Sequence, residues 1–255
     1  MKISALASGS SGNCFFVENK KEGILIDAGI SCKQIVERLE IIGKSPQNIK
    51  GIFITHEHSD HIKGADVFAR NFNIPIFATK KTVKENFLCS NEELINSINP
   101  GETIKLCGME IESFSKIHKA VEPVSYNICN GKRISIITDA GHVCNNIISN
   151  VKDADFLCLE SNYDLEMLEN GPYPYYLKKW IKSDNGHLSN MQAALCVLEH
   201  GNPKLKNLML SHISQNNNTP KKAFETFRDL IKERRDLKPI ISVSERFAPT
   251  ELFKV

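Results

Sequence analysis

Short apolar runs open the chain: Ile3-Ser4-Ala5-Leu6-Ala7, Cys14-Phe15-Phe16-Val17 and Ile24-Leu25-Ile26. Each is bounded by polar or Gly-rich residues and reads as a strand. The turn-rich Ser8-Gly9-Ser10-Ser11-Gly12-Asn13 joins the first two. Beyond residue 31 the period lengthens. Ile35, Val36, Leu39 and Ile42 make a helical stripe, Ser31 with Gln34 supplies a capping box, and Gly43 is placed to end the helix. The pattern then predicts a strand over 51–55, a helix to about Asn71, a strand over 74–78 and a short helix after Thr82. From 103 to 138 it is β-like again, and Asn130-Gly131 signals a hairpin. The second half alternates: a strand over 156–160, a Pro/Tyr-rich stretch over 171–176, a helix from Asn190 to His200 and a strand over 207–211. A helix from Pro220 to about Arg234, capped by Thr219, and a last strand near 239–243 complete it. Strands first, then strands mixed with helices, predict an α/β protein of packed sheets with helices outside. No repeat, low-complexity tract or long linker interrupts the pattern, so a single domain over 1–255 is expected.

Composition narrows the class. At 255 residues, 41% hydrophobic and 24% charged, the chain can build a sizeable core without staples, which excludes disordered and fibrous classes. A net charge of +2 permits an acidic partner without demanding one. The eight cysteines are scattered, form no C-x-x-C pair and often lie in apolar runs, as in Phe156-Leu157-Cys158-Leu159. They read as small buried hydrophobes in a reducing compartment. No signal-peptide core or membrane-length apolar segment is present, so a cytoplasmic location without membrane attachment is expected.

The chemistry concentrates in "ITHEHSDHIKGA", residues 54–65, where His56, His58, Asp60 and His61 follow a β-branched run. Four ligand-type side chains in six positions cannot all point one way from a regular element. A loop leaving a strand can converge them on a cation. One tetrahedral ion leaves no room for the remaining groups, so two adjacent sites are the natural reading. Other strand ends offer more ligands: His118 after 109–114, Asp139 after Ile136-Ile137-Thr138, and His212 after Leu208-Met209-Leu210-Ser211. Ser189 is a plausible N-cap for the helix beginning at Asn190, and a helix start is an anion site. His187 just before it is placed to grip a phosphate oxygen or protonate a leaving oxygen. His187, Ser189 and Asn190 are therefore candidate phosphate-binding residues, while His142 and His200 carry no assignment.

These motifs resemble the metallo-β-lactamase superfamily, whose signature is H-x-H-x-D-H, a downstream His, an Asp and a final His. The resemblance implies an αββα four-layer sandwich, two mixed β-sheets flanked by helices, with two divalent ions, Zn or Mn. By position, His56, His58 and His118 would hold one ion, Asp60, His61 and His212 the other, and Asp139 would bridge them. Asp27 in "LIDAG" matches the superfamily's early Asp, a support for the ligands. The longer set "ASGSSGN", "LIDAGIS", "THEHSDH", "AVEPVSY", "TDAG", "LESNYD", "GPYP", "NGHLSN" and "SHISQNNNTP" is similar to the YycJ/VicX/WalJ group and runs to about residue 220. That likeness implies a 5′→3′ exodeoxyribonuclease on double-stranded DNA, linked to DNA repair. In it a hydroxide shared by the two ions makes an in-line attack on the phosphodiester, with Asp60 and His187 as catalytic residues. Lys119, Ser125, His142, Tyr163 and Trp180 depart from the group's usual residues, and none is an implied ligand.

Residues 221–238 carry seven basic and four acidic side chains, a pattern compatible with a DNA partner and equally with a solvated face. Competing readings are a cyclic-nucleotide-type phosphodiesterase, a thioesterase like glyoxalase II, and a metal-stabilised DNA-binding or signalling module. The thioesterase normally adds a helical domain, for which few residues remain after His212. The 72 residues between Asp139 and His212 are too few for the insertion of RNase J-type enzymes. The sequence leaves monomer or homodimer open.

Overall fold

The computed structural model describes residues 1–255. Its strands, in chain order, are β1 (Lys2–Ala7), β2 (Cys14–Asn19), β3 (Glu22–Ile26), β4 (Ile49–Phe53), β5 (Ile76–Thr79), β6 (Ile95–Ile98) and β7 (Thr103–Leu106). They continue with β8 (Met109–Ser115), β9 (Val124–Cys129), β10 (Arg133–Ile137), β11 (Phe156–Glu160), β12 (Asn207–Ser211), β13 (Ile240–Val243) and β14 (Phe253–Lys254). They form two mixed seven-stranded sheets, ordered β14-β1-β2-β3-β4-β5-β6 and β13-β12-β11-β10-β9-β8-β7. The chain divides into two compact units. One comprises residues 1–115, 120–130 and 245–255, the other 116–119 and 131–244.

In the first unit, β1, β2 and β3 pair antiparallel, and β3 through β6 run parallel. Helix α1 (Cys32–Ile41) starts where the sequence places it: Ser31 Oγ accepts from Gln34 N at 3.3 Å and Gln34 Oε1 accepts from Ser31 N at 3.1 Å. Ile35 and Leu39 carry its stripe into a core with Leu6, Phe16, Leu25, Ile52 and Phe68. The single helix expected up to Asn71 is instead two, α2 (Ser59–Ile62) and α3 (Ala65–Phe72). The break falls at Gly64, whose N–H donates to Ala28 O at 2.8 Å and where an added Cβ would lie 2.1 Å from Ile30 O. That backbone contact bends the chain before α3. Helix α4 (Lys80–Glu85) begins earlier than expected because Thr79 caps it, its Oγ1 accepting from Thr82 N at 3.4 Å.

In the second unit, β10, β11, β12 and β13 are parallel, with Ile137 beside Leu159 and Leu159 beside Leu210. Helices α5 (Asn145–Asp153), α6 (Leu165–Asn170) and α7 (Tyr175–Ile181) have no counterpart in the sequence reading. Helices α8 (Asn190–His200) and α9 (Pro220–Ile231) were expected, α9 ending three residues short of Arg234. Phe156, Cys158, Val197, Leu208, Leu210 and Phe227 are buried there. All eight cysteines are free thiols; Cys14, Cys89, Cys158 and Cys196 are buried, and the other four only half-buried. No helix is long and apolar enough to cross a membrane.

Candidate metal centre

Both units gather their chemistry at the carboxyl ends of neighbouring parallel strands, where open α/β sheets present side chains to ligands. In the first unit β3 and β4 end side by side, Ile26 against Phe53. Asp27 follows β3 with φ +61, a left-handed conformation that turns its carboxylate toward the end of β4. There it accepts from Thr55 N at 2.8 Å, Thr55 Oγ1 at 3.0 Å and His61 Nδ1 at 2.7 Å, fully buried. Thr55 Oγ1 also lies 2.9 Å from His56 Nδ1. A consistent proton assignment follows: His56 Nδ1–H donates to Thr55 Oγ1, Thr55 O–H and His61 Nδ1–H donate to Asp27. Each imidazole then carries its lone pair on Nε2, the tautomer that suits a metal bound at that nitrogen.

The spacing of these donors suits a cation. Two nitrogens on one tetrahedral ion with bonds of about 2.0–2.1 Å lie roughly 3.3 Å apart. His56 Nε2 is 3.0 Å from His58 Nδ1, and His61 Nε2 is 3.6 Å from Asp60 Oδ2.

In the second unit the ends of β10, β11 and β12 are adjacent, and parallel neighbours stand about 4.8 Å apart. Asp139 lies just beyond β10 with φ +52, Glu160 closes β11, and His212 follows β12 with φ +56. His118 and His187 join them from loops. Asp139, Glu160, His187 and His212 offer ligand-type atoms all within 4.8 Å of one another. Asp139 Oδ1 is 3.5 Å from His212 Nε2, 3.9 Å from His118 Nε2 and 3.8 Å from His187 Nδ1.

Glu160 received no role from the sequence. Its side chain is fully buried, Oε1 accepting from His187 Nδ1 at 2.8 Å and His212 Nδ1 at 2.9 Å. Oε2 accepts from Ala140 N at 2.8 Å and Leu188 N at 3.1 Å. With both oxygens occupied, Glu160 orients the two imidazoles rather than binding an ion. Burial alone would raise its pKa, but the His187 and His212 imidazoles outweigh burial and bring it down to about 2. The signal available in the sequence was positional: an acid ending an all-apolar strand. His118 is held through Nδ1 by Gly186 O at 3.1 Å, and burial lowers its pKa to about 4.

Ser189 and Asn190 turn their side chains inward. Ser189 Oγ accepts from Gln192 N at 3.1 Å, and Ser189 N donates to Gln192 Oε1 at 2.9 Å, a capping box for α8. Asn190 is buried, its Oδ1 accepting from Ser161 Oγ at 2.6 Å and Asn218 Nδ2 at 2.7 Å. His187 stands edge-on to Trp180 with ring centroids 5.6 Å apart.

Residues 7–90 match the metallo-beta-lactamase superfamily. The chain is 37% identical over 234 residues to exodeoxyribonuclease WalJ of Streptococcus pneumoniae, covering 88% of this chain and 86% of that one. It is 35% identical over 243 residues to exodeoxyribonuclease YycJ of Bacillus anthracis, covering 92% and 90%. The metallo-beta-lactamase fold protein YhfI from Bacillus subtilis superposes with a TM-score of 0.73 over 98% of each chain at 12% identity, a shared fold.

Proposed function

Because the chain belongs to the metallo-β-lactamase superfamily of hydrolases, in the group of the WalJ and YycJ exodeoxyribonucleases, we propose that it hydrolyses DNA phosphodiesters. The finer reading is a 5′→3′ exodeoxyribonuclease on double-stranded DNA, working in DNA repair in the cytoplasm. Two divalent ions, Zn or Mn, are proposed: one on His56, His58 and His118, the other on Asp60, His61 and His212, with Asp139 shared and Asp27 behind His61. The two units thus act as one domain in this proposal. The observation that carries it is geometric. His56, His61, His118 and His212 each engage Nδ1 with a protein oxygen, leaving Nε2 as the donor atom.

When bound, divalent cations supply Lewis acidity to water and to a phosphodiester oxygen. The chain's own contribution is orientation. Glu160 Oε1 accepts from His187 Nδ1, so Nε2 of that ring is the atom left for the substrate, and with both ring nitrogens protonated its N–H donates to a phosphate oxygen or to the leaving oxygen. Ser189 and Asn190 serve the same end by anchoring the turn that carries His187. The test is His61→Ala, with Asp60→Ala beside it. Hydrolysis of a 5′-phosphorylated duplex should be abolished, and bound metal measured by elemental analysis should fall. Full turnover by metal-stripped wild-type protein would refute the proposal.

A further inference from the structure

The loop of residues 8–13 supplies none of the proposed ligands but packs beside them. Ser8, Gly9, Gly12 and Asn13 are buried, yet Ser10 and Ser11 face solvent. The loop is fixed from within: Asn13 Oδ1 accepts from Gly9 N at 2.9 Å, and Gly12 N donates to Gly9 O at 2.9 Å. The first bond orients the Asn13 amide, so its Nδ2 faces His61 Nε2 at 3.1 Å and Asp60 Oδ2 at 3.4 Å. Asn13 N also donates to Asp60 O at 2.7 Å. The loop is therefore fastened to the turn that carries Asp60 and His61.

Arg246 lies against its other side. Nη1 donates to Ser11 Oγ at 2.9 Å and Ser10 Oγ at 3.4 Å. A Cβ added at Gly9, which sits at φ +129, would meet the guanidinium at 2.9 Å (Nη2) and 3.0 Å (Cζ). Glycine suits the positive φ there and leaves the guanidinium room against the loop. The Arg246 backbone is itself held, Arg38 Nη1 donating to Arg246 O at 3.2 Å and to Leu6 O at 2.8 Å. Phe247 beside it is 74% exposed.

We propose that Ser10, Ser11 and Arg246 form a clamp for a backbone phosphate of a polynucleotide, one or two nucleotides from the bond cleaved. The proposal rests on the exodeoxyribonuclease reading and gives its polymer substrate a contact away from the bond cleaved. A planar guanidinium beside two hydroxyls matches phosphate oxygens in geometry and charge. Ser11 is two residues from Asn13, at most about 7.6 Å between Cα atoms, which is roughly two nucleotides of helical rise. The exposed Phe247 ring offers a face on which a base can stack. A small phosphodiester spans too little to meet both the clamp and the Asp60 turn.

The test is binding rather than turnover: fluorescence anisotropy of a labelled duplex oligonucleotide between about 50 and 200 mM salt. Arg246→Ala should weaken binding roughly tenfold and reduce the slope of log Kd against log salt by about 0.9, one phosphate contact. Arg246→Lys should keep the slope but recover only part of the affinity, because the fork is lost. Ser10→Ala with Ser11→Ala should weaken binding at unchanged slope, and these two milder variants decide the matter if Arg246→Ala does not fold. Wild-type affinity in all of them, no oligonucleotide binding by wild type, or a loss confined to inorganic phosphate as titrant would overturn the clamp. Failure of the hydrolase reading has a different signature: Arg246-dependent binding of an oligonucleotide that wild-type protein never cleaves.

Discussion

Replacing Glu160 by Gln changes no volume but inverts one side of a four-bond arrangement. The wild-type carboxylate only accepts, from Ala140 N, Leu188 N, His187 Nδ1 and His212 Nδ1. In Glu160→Gln the amide oxygen keeps the two backbone donors, and the amide N–H₂ then faces both imidazoles. His187 and His212 must respond by moving their protons to Nε2, the atom proposed as ligand on His212. Restoring the ligand tautomer sets N–H against N–H, a penalty of about 1–3 kcal/mol for an unsatisfied buried donor. That corresponds to roughly 5–150-fold in affinity, overlapping the 10–100-fold commonly lost with such supporting carboxylates. Zinc affinity, measured on apo-protein by competition with a chromogenic chelator, should fall by that factor. Thermal stability of the apo-protein should change far less than in Glu160→Ala, which leaves the Ala140 and Leu188 N–H groups without an acceptor. Wild-type zinc affinity in a folded Glu160→Gln protein would refute the tautomer argument.

Three further outcomes are expected. Thr55→Val keeps the shape but removes the hydroxyl between Asp27, His56 and His61, so chelator competition should show roughly tenfold weaker metal binding. Asp66 accepts from Arg70 Nε and Nη2 at 2.9 Å each and from Ser90 N at 2.8 Å, and Arg70 above all holds its carboxyl well below the usual carboxylate range. A depressed pKa stabilises above the unfolded value and is lost as pH falls toward the folded one. The stability gap between wild type and Asp66→Asn in urea should therefore be about 1 kcal/mol at pH 7 and shrink progressively below about pH 4; a gap constant to pH 3 would contradict this. Phe68→Ala empties a fully buried site in the first unit's core and should cost about 3–5 kcal/mol by denaturant titration.

What could be read from the sequence was whatever is local. The capping box at Ser31 and Gln34 lies within four residues, as does that at Ser189 and Gln192, and the helices they start fall where the pattern puts them. The ligand-type residues of 56–61 are likewise a single turn. Glu160 could not be recognised, because an acid ending "FLCLE" acquires meaning only once β10 and β12 are known to flank β11. Thr55 was hidden in the same way, its role set by Asp27 on the next strand. Gly64 breaks a helix through a contact with Ile30, a residue whose proximity no periodicity reports. Helices α6 and α7 are short and bury one residue each, Leu168 and Ile181, so they offer almost no stripe, whereas α5 does carry one, Ile147 and Val151, in a segment with no side-chain cap to mark its start. For Ser189 and Asn190 the element was right, while the direction of the side chains depended on Gln192, Ser161 and Asn218.

Strand spacing also explains where the backbone is strained. Side chains rising straight from the ends of parallel strands about 4.8 Å apart stand too far from one another to share an ion, whose ligands need roughly 3.3 Å. They must lean together, and the lean has to come from the backbone just past the strand. Asp27, Asp139 and His212 occupy that position and all adopt positive φ, at +61, +52 and +56. For residues with a Cβ this conformation costs on the order of 1–3 kcal/mol each. The other non-glycine residues with positive φ, Lys20, Asn73 and Cys107, lie just past the ends of β2, α3 and β7, and none of them belongs to either cluster. In the clusters the same conformation brings Asp139 Oδ1 to 3.5 Å from His212 Nε2 and Asp27 Oδ2 to 2.7 Å from His61 Nδ1. Relaxing Asp139 or His212 to negative φ would re-aim its side chain and open the 3.5 Å between them, while at Asp27 it would break the hydrogen bond that orients His61, so at all three positions the strain serves the placement of the ligand-type atoms.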